Sequence, residues 1–373
     1  MSKESGSGPK GDESLETLVR EREIIVCCGS GGVGKTTTAA VIALQAAEAG
    51  RKAVVVTIDP AKRLADALGL DGLTNEPSRI DGDFPGELSA MMLDTKSTFD
   101  DLVGNHASDD EQRERILNNS FYRNISGALS GTQEYMAMEK LYELHDGRNS
   151  GKHDFDLIVI DTPPTRNALD FLDAPRRLTR FLDHRLYKIM TAPNRGVLKA
   201  VNMAAQTFVR SIAKVVGADV IDDAIAFFQA FDGMEQGFKD RATKVEELLR
   251  ADDTAFVLVA SPRRDTMDEA TFFAEKLAEG GIPVRSLVIN RMHPNFAEGL
   301  AEATRERANS LEGEAIGDLY RNLADFQLVS SREEDHLAEL AETVAPAPVV
   351  RVPFLRSDVH DLDGLRQIET YLR

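Results

Sequence analysis

A glycine-rich turn between an apolar strand and an alanine-rich helix constrains this chain more than any other feature. Ile24-Ile25-Val26-Cys27-Cys28 is a continuous apolar run. It leads into Gly29-Ser30-Gly31-Gly32-Val33-Gly34-Lys35-Thr36-Thr37, and a helical pattern from Lys35 to Ala49 ends at Gly50. Strand, then G-x-x-x-x-G-K-T, then helix is the phosphate-loop signature in its required context. Backbone N–H groups of such a loop turn inward around phosphate oxygens, and the helix N-terminus adds its dipole. Lys35 is expected to bridge the β- and γ-phosphates and Thr36 to ligate Mg²⁺. The predicted ligand is ATP or ADP with Mg²⁺, held by the stretch from Gly29 to Thr37.

The next strand, Ala53 to Ile58, completes a βαβ unit. Further strands are predicted at Leu88 to Leu93, Leu157 to Ile160, Ala255 to Ala260, Val284 to Ile289 and Pro348 to Val352. Continuous apolar strands alternating with helices predict an α/β fold: a P-loop NTPase with a mostly parallel, doubly wound sheet. Residues 96–150 and 168–250 break the alternation with loosely helical apolar spacing, so an inserted helical subdomain is expected there. The acidic, amphipathic stretch from Ala297 to Thr343 predicts one or two helices covering the sheet. Residues 1–20 are read as a disordered tail and 21–373 as the ATPase domain, since the first residues are rich in Ser, Gly, Lys and Glu.

The net charge of −18 argues against nucleic acid as a partner. No run of about 18 apolar residues exists to span a membrane. No apolar segment near the N-terminus has the form of a signal peptide. The two cysteines, Cys27 and Cys28, are adjacent inside a predicted strand and form neither a disulfide framework nor a zinc pattern. A cytoplasmic protein is expected, touching membrane only through a partner or client.

Three further motifs follow in order. Asp59-Pro60-Ala61-Lys62-Arg63-Leu64-Ala65-Asp66-Ala67-Leu68 succeeds the second strand, and Asp161-Thr162-Pro163-Pro164-Thr165 ends a later one. Val288-Ile289-Asn290 and Val352-Pro353-Phe354-Leu355 come near the C-terminus. With Gly31-Gly32-Val33-Gly34-Lys35-Thr36-Thr37, they resemble the deviant Walker A ATPases of the ArsA type, which include those of tail-anchored-protein targeting (guided entry). The resemblance spans about residues 22 to 373. Ile58 to Leu64, Gly131 to Lys140 and Asn167 to Pro175 bring it closest to the paired actinobacterial members, on the side of the subunit that lacks the signature lysine.

The resemblance implies a role for each motif. Asp59 orients the attacking water and stands behind the metal's own ligands; as a bare sequence feature it also reads as a helix cap. Asp161 holds Mg²⁺ through water. Asn290 reads the adenine, beside the loop at Pro353. Arg166 replaces a glycine of the family's second switch; it is either a catalytic cation at the γ-phosphate or a solvated ion-pair partner. Arg291 replaces the more usual Gln, and Ser30 replaces the lysine that reaches a partner's nucleotide.

The family scheme implies a dimer: a heterodimer with a lysine-bearing ArsA-like homologue, or a homodimer. It also implies an apolar client such as a membrane-protein helix. Apolar residues between 181 and 238 either line a groove for that client or form the subdomain's own core. A hydrolysis-poor regulatory subunit is the alternative to an active ATPase. Arsenite handling is not implied, because a soft anion needs converging thiolates. Nor is zinc, because the targeting relatives' CxxC pair is missing.

Overall fold

The computed structural model describes residues 14–59, 62–125, 132–150, 153–163, 168–184, 218–231, 233–296 and 299–372. The chain divides into two compact units. The first comprises Met1–Met92, Asp154–Leu169 and Asp252–Arg373; the second comprises Leu93–His153 and Asp170–Ala251.

The first unit is built on an eight-stranded sheet. Its strands are β1 (Ile24–Cys28), β2 (Lys52–Thr57), β3 (Ser78–Ile80), β4 (Glu87–Met92), β5 (Leu157–Asp161), β6 (Thr254–Ala260), β7 (Val284–Met292) and β8 (Val349–Pro353). They lie in the order β3-β4-β2-β5-β1-β6-β7-β8. All neighbours are parallel except β3 and β4, so the sheet is mostly parallel as expected. Every residue of β1, β5 and β6 is buried, which explains their unbroken apolar runs. The chain leaves β1 toward β2 on one side and, after β5, crosses to β6 on the other. In an open α/β sheet this reversal opens a crevice beyond the strand's C-terminal end, where the glycine loop sits.

The described helices are, in chain order, α1 (Leu15–Glu21), α2 (Lys35–Glu48), α3 (Arg63–Ala67), α4 (Thr95–His106), α5 (Asp110–Leu117), α6 (Ser120–Ile125), α7 (Thr132–Ser150), α8 (Ala168–Asp183), α9 (Ala218–Ala230), α10 (Glu235–Arg250), α11 (Arg264–Glu279), α12 (Ala301–Ser310), α13 (Ala315–Val344) and α14 (Leu362–Leu372). On one sheet face α1, α2 and α14 share a core with Ile25, Val55, Val159 and Val257. Small side chains from Ala39 to Ala47 let α2 approach the sheet closely, and all its alanines there are fully buried. The expected covering segment is the pair α12 and α13, with α13 packed on α11 and β7. Among the described residues no helix is long and apolar enough to cross a membrane.

Two sequence expectations need correction. Residues 15–20 lie in the stretch read as disordered tail, yet they belong to α1. Leu15, Leu18 and Val19 are at most 1% exposed, and Ser14 caps the helix by accepting from the Thr17 amide. Their i, i+3, i+4 spacing is a core-facing stripe embedded in polar sequence. The short antiparallel edge strand β3 was not among the predicted strands.

The second unit is helical in its described residues. Phe99, Tyr122, Phe227 and Phe231 form a ring cluster, with Tyr122 and Phe227 centroids 5.8 Å apart and Phe227 and Phe231 centroids 4.8 Å apart. Of the residues expected either to line a groove or to form a core, Leu182, Phe227, Phe231, Met234 and Phe238 are buried. Positions 185–217 lie outside the described residues.

Candidate functional site

The loop after β1 depends on glycine at two points of close approach. A Cβ on Gly29 would stand 2.0 Å from the Val259 carbonyl oxygen of β6. One on Gly34 would stand 2.1 Å from Asn290 Nδ2, and both residues have positive φ. The loop is tied down from the end of β7. Asn290 Nδ2 donates to the Val33 carbonyl at 2.9 Å, and Arg291 Nη1 donates to the Gly32 carbonyl at 3.2 Å. Arg291 adopts φ +66°, a strained conformation outside glycine. Lys35 is 6% exposed, and its Nζ donates to the Ser30 carbonyl at 2.8 Å. Burial holds its ammonium below the ordinary lysine range, with Asp161 pulling the other way. Ser30 is itself buried, and its Oγ has no hydrogen-bond partner among the described residues.

A carboxylate faces the start of α2 from the neighbouring strand. Cys27 and Thr57 both pair in register with Asp161, so the ends of β1, β2 and β5 are level. Asp161 Oδ2 accepts from Thr36 Oγ1 and from Thr57 Oγ1, each at 2.8 Å. Its Oδ1 is buried with no hydrogen-bond partner among the described residues. Burial raises the Asp161 pKa, and the two threonine hydrogen bonds and Lys35 oppose that rise. The donor set fits Mg²⁺. Thr36 gives its proton to Asp161 and keeps oxygen lone pairs, while the orphaned Oδ1 is a hard acceptor for a metal-bound water.

Asp59 lies just past β2, with its amide donating to Thr57 Oγ1 at 3.3 Å. Its carboxylate pairs with Arg63 at 3.5 Å. These groups open on a cleft of about 430 Å³. Its lining includes Lys35, Thr36, Thr37, Asp59, Arg63 and Thr162, together with Asn290, Arg291, Pro353, Phe354, Val359 and His360. The Phe354 ring is 58% exposed and stacks on His293, with centroids 6.2 Å apart.

The fold thus gathers Lys35, Thr36, Thr37, Asp59, Asn290 and Pro353 around one cleft, with Asp161 bonded to Thr36 below it. Arg166 lies outside the described residues. Sequence reasoning missed Thr57, whose signal is its place at the end of a strand parallel to the one ending in Asp161. It also missed Val359 and His360, which lie beyond the quoted C-terminal motif.

The family model described as anion-transporting ATPase matches residues 22–373. The ATPase GET3 of Malassezia globosa is 26% identical over 361 residues, covering 96% of this chain and 94% of that protein. The ATPase GET3 of Kluyveromyces lactis is 23% identical over 368 residues, covering 96% and 92%. The ATPase ARSA2 of Chlamydomonas reinhardtii is 28% identical over 336 residues, covering 87% and 83%. On a match that runs nearly end to end, the chain belongs to the ArsA-type, anion-transporting ATPase family and is an ATPase.

Proposed function

We propose that this cleft binds MgATP and hydrolyses it as one half of a dimeric machine that handles an apolar client. The single observation that carries the nucleotide reading is the divided environment of Asp161. One oxygen is held by Thr36 and Thr57, and the other is buried beside the phosphate loop with no partner among the described residues. In this reading the amides of Gly29 to Thr37 cradle the phosphates, and Lys35 neutralises the β- and γ-oxygens. Thr36 and, through water, Asp161 would hold Mg²⁺, which when bound would supply screening of charge on the transferring phosphoryl group. Asp59 orients the water. The water oxygen bonds to the γ-phosphorus, the bond to the bridging oxygen breaks with its electron pair left on ADP, and the proton leaves with phosphate. Asn290, Pro353 and Phe354 bound the side of the cleft assigned to the base.

Ser30 brings no charge to the position from which relatives of this type reach a partner's nucleotide. The proposed assembly is therefore a heterodimer with a lysine-bearing homologue, with a homodimer as the other arrangement. The second unit is the proposed client-handling part. Arsenite is not the proposed cargo: Cys27 and Cys28 are at most 3% exposed, and burial raises both thiol pKa values well above the usual range.

The test is steady-state ATP turnover of the full chain alone and with its lysine-bearing homologue. Stimulation by the partner is the expected result. Tight ATP binding with no turnover in either setting would instead assign a regulatory subunit. Client handling is tested by co-purification of an apolar helix, which must depend on ATP; retention without nucleotide dependence contradicts the cycle.

A further inference from the structure

Arg63 shares the cleft with the phosphate lysine but has no task in the reading above. It is the first residue of α3, four positions after Asp59. Its Nη1 stands 3.5 Å from Asp59 Oδ2; the Arg63 side chain is 61% exposed and that of Asp59 only 17%. Arg63 and Lys35 line the same cleft, and the Arg63 charge adds to the burial that holds the Lys35 ammonium down. Two cations that oppose each other in one pocket are poorly arranged for an empty site and well arranged for a polyanion. A guanidinium presents five N–H donors, and among the described residues this one spends a single long contact on Asp59.

We propose that Arg63 is a phosphate-contacting residue, which pairs with Asp59 in the ligand-free cleft and moves onto the terminal phosphate of bound ATP. The inference rests on the placement of the phosphates and of Asp59 proposed above. Its chemistry is that of an arginine supplied by the same chain: planar N–H groups match phosphate oxygens and stabilise the charge spread over them during transfer. The same move takes a cation away from the Asp59 carboxylate, the group assigned to orient the water. Arg63 thereby distinguishes triphosphate from diphosphate, since ADP offers no terminal group at that end.

A purely structural role makes a different prediction. Exposed i, i+4 ion pairs contribute little, so an Arg63 that merely pairs with Asp59 is dispensable. The test titrates the full chain with ADP and with a non-hydrolysable ATP analogue, both in Mg²⁺, and measures turnover, for R63A and R63K. The proposal expects R63A to weaken analogue binding by about tenfold or more, the worth of a charged hydrogen bond, while ADP affinity holds within about twofold. R63K is expected to recover most of the analogue affinity but less of the turnover, because an ammonium lacks the planar fork. Unchanged analogue affinity in R63A overturns the proposal, as does a parallel loss of ADP and analogue affinity. D59N separates this inference from the reading beneath it. Wild-type turnover in D59N removes Asp59 as the water-orienting group, whereas the preference of Arg63 for triphosphate is decided by the binding data alone.

Discussion

At the scale of single residues, the site is a set of groups whose surroundings leave each one a single use. Gly34 combines φ +98° with contact to Asn290. A left-handed conformation costs an alanine about 1–2 kcal/mol, and the methyl must also displace the Asn290 amide that steadies Val33. G34A is therefore expected to lower the denaturant midpoint modestly and nucleotide affinity by about tenfold or more, the cost of misplacing a phosphate donor. Wild-type affinity in a fluorescence titration would show that the loop tolerates the shift. Asp161 yields a second prediction. D161N leaves a side chain that Thr36 and Thr57 still reach but removes the charge facing the metal's water. Mg²⁺ affinity in the presence of ADP should fall about ten- to a hundredfold. Mg²⁺-free ADP binding should barely change; if both fall together, Asp161 supports the loop rather than the ion.

At the scale of elements, α7 and α10 carry a buried acid that no role so far uses. Glu139 is 4% exposed, accepts from Tyr135 Oη at 2.5 Å and pairs with Arg241 Nε at 3.2 Å. Arg241 also lies over the Tyr142 ring at 4.2 Å. Burial pushes the Glu139 carboxyl up to about 7, against the pull of Tyr135 and Arg241. A carboxyl whose pKa is raised in the folded state binds more protons folded than unfolded. Its contribution is present below the unfolded pKa and is lost as pH rises through about 7. The nearby His106, held below its ordinary value by burial and by Arg241, acts with the opposite sign. Comparing E139Q with the wild type isolates the acid. Wild-type stability should decline from mildly acid to neutral pH relative to E139Q, by at most about 3 kcal/mol. Parallel stability–pH curves for the two proteins would remove Glu139 as a titrating group. Sequence alone showed α7 as helical but not this network, because it joins residues a hundred positions apart. The strands were legible since their apolar runs are buried on both faces. The edge strand β3 was not, because three residues carry no period. Helix α1 was lost in a polar segment although Leu15, Leu18 and Val19 already had the right spacing.

At the scale of the whole molecule, the order of motifs along the chain was legible and their convergence was not. The phosphate loop, Asp59, Asp161 and Asn290 each announce themselves by residue type at or just past the C-terminal end of a strand. What brings them together is the strand order, which puts β1 between β5 and β6 and sends β7 and β8 to the same side as β6. Arg63, Val359 and His360 have no signature because only the folded cleft gives them a common neighbour. That convergence has a measurable consequence. A ligand that binds only the folded state adds about 2.7 kcal/mol of stability at one hundred times its dissociation constant. The cleft walls come from stretches near residues 32–37, 59–67, 290–291 and 353–360. MgATP analogue binding should therefore slow amide exchange in all four, including the C-terminal stretch more than three hundred residues from the loop. Slowing confined to Gly29 to Thr37 would mean that the nucleotide touches the loop alone, and the wall formed by Pro353 and Phe354 would then need another occupant.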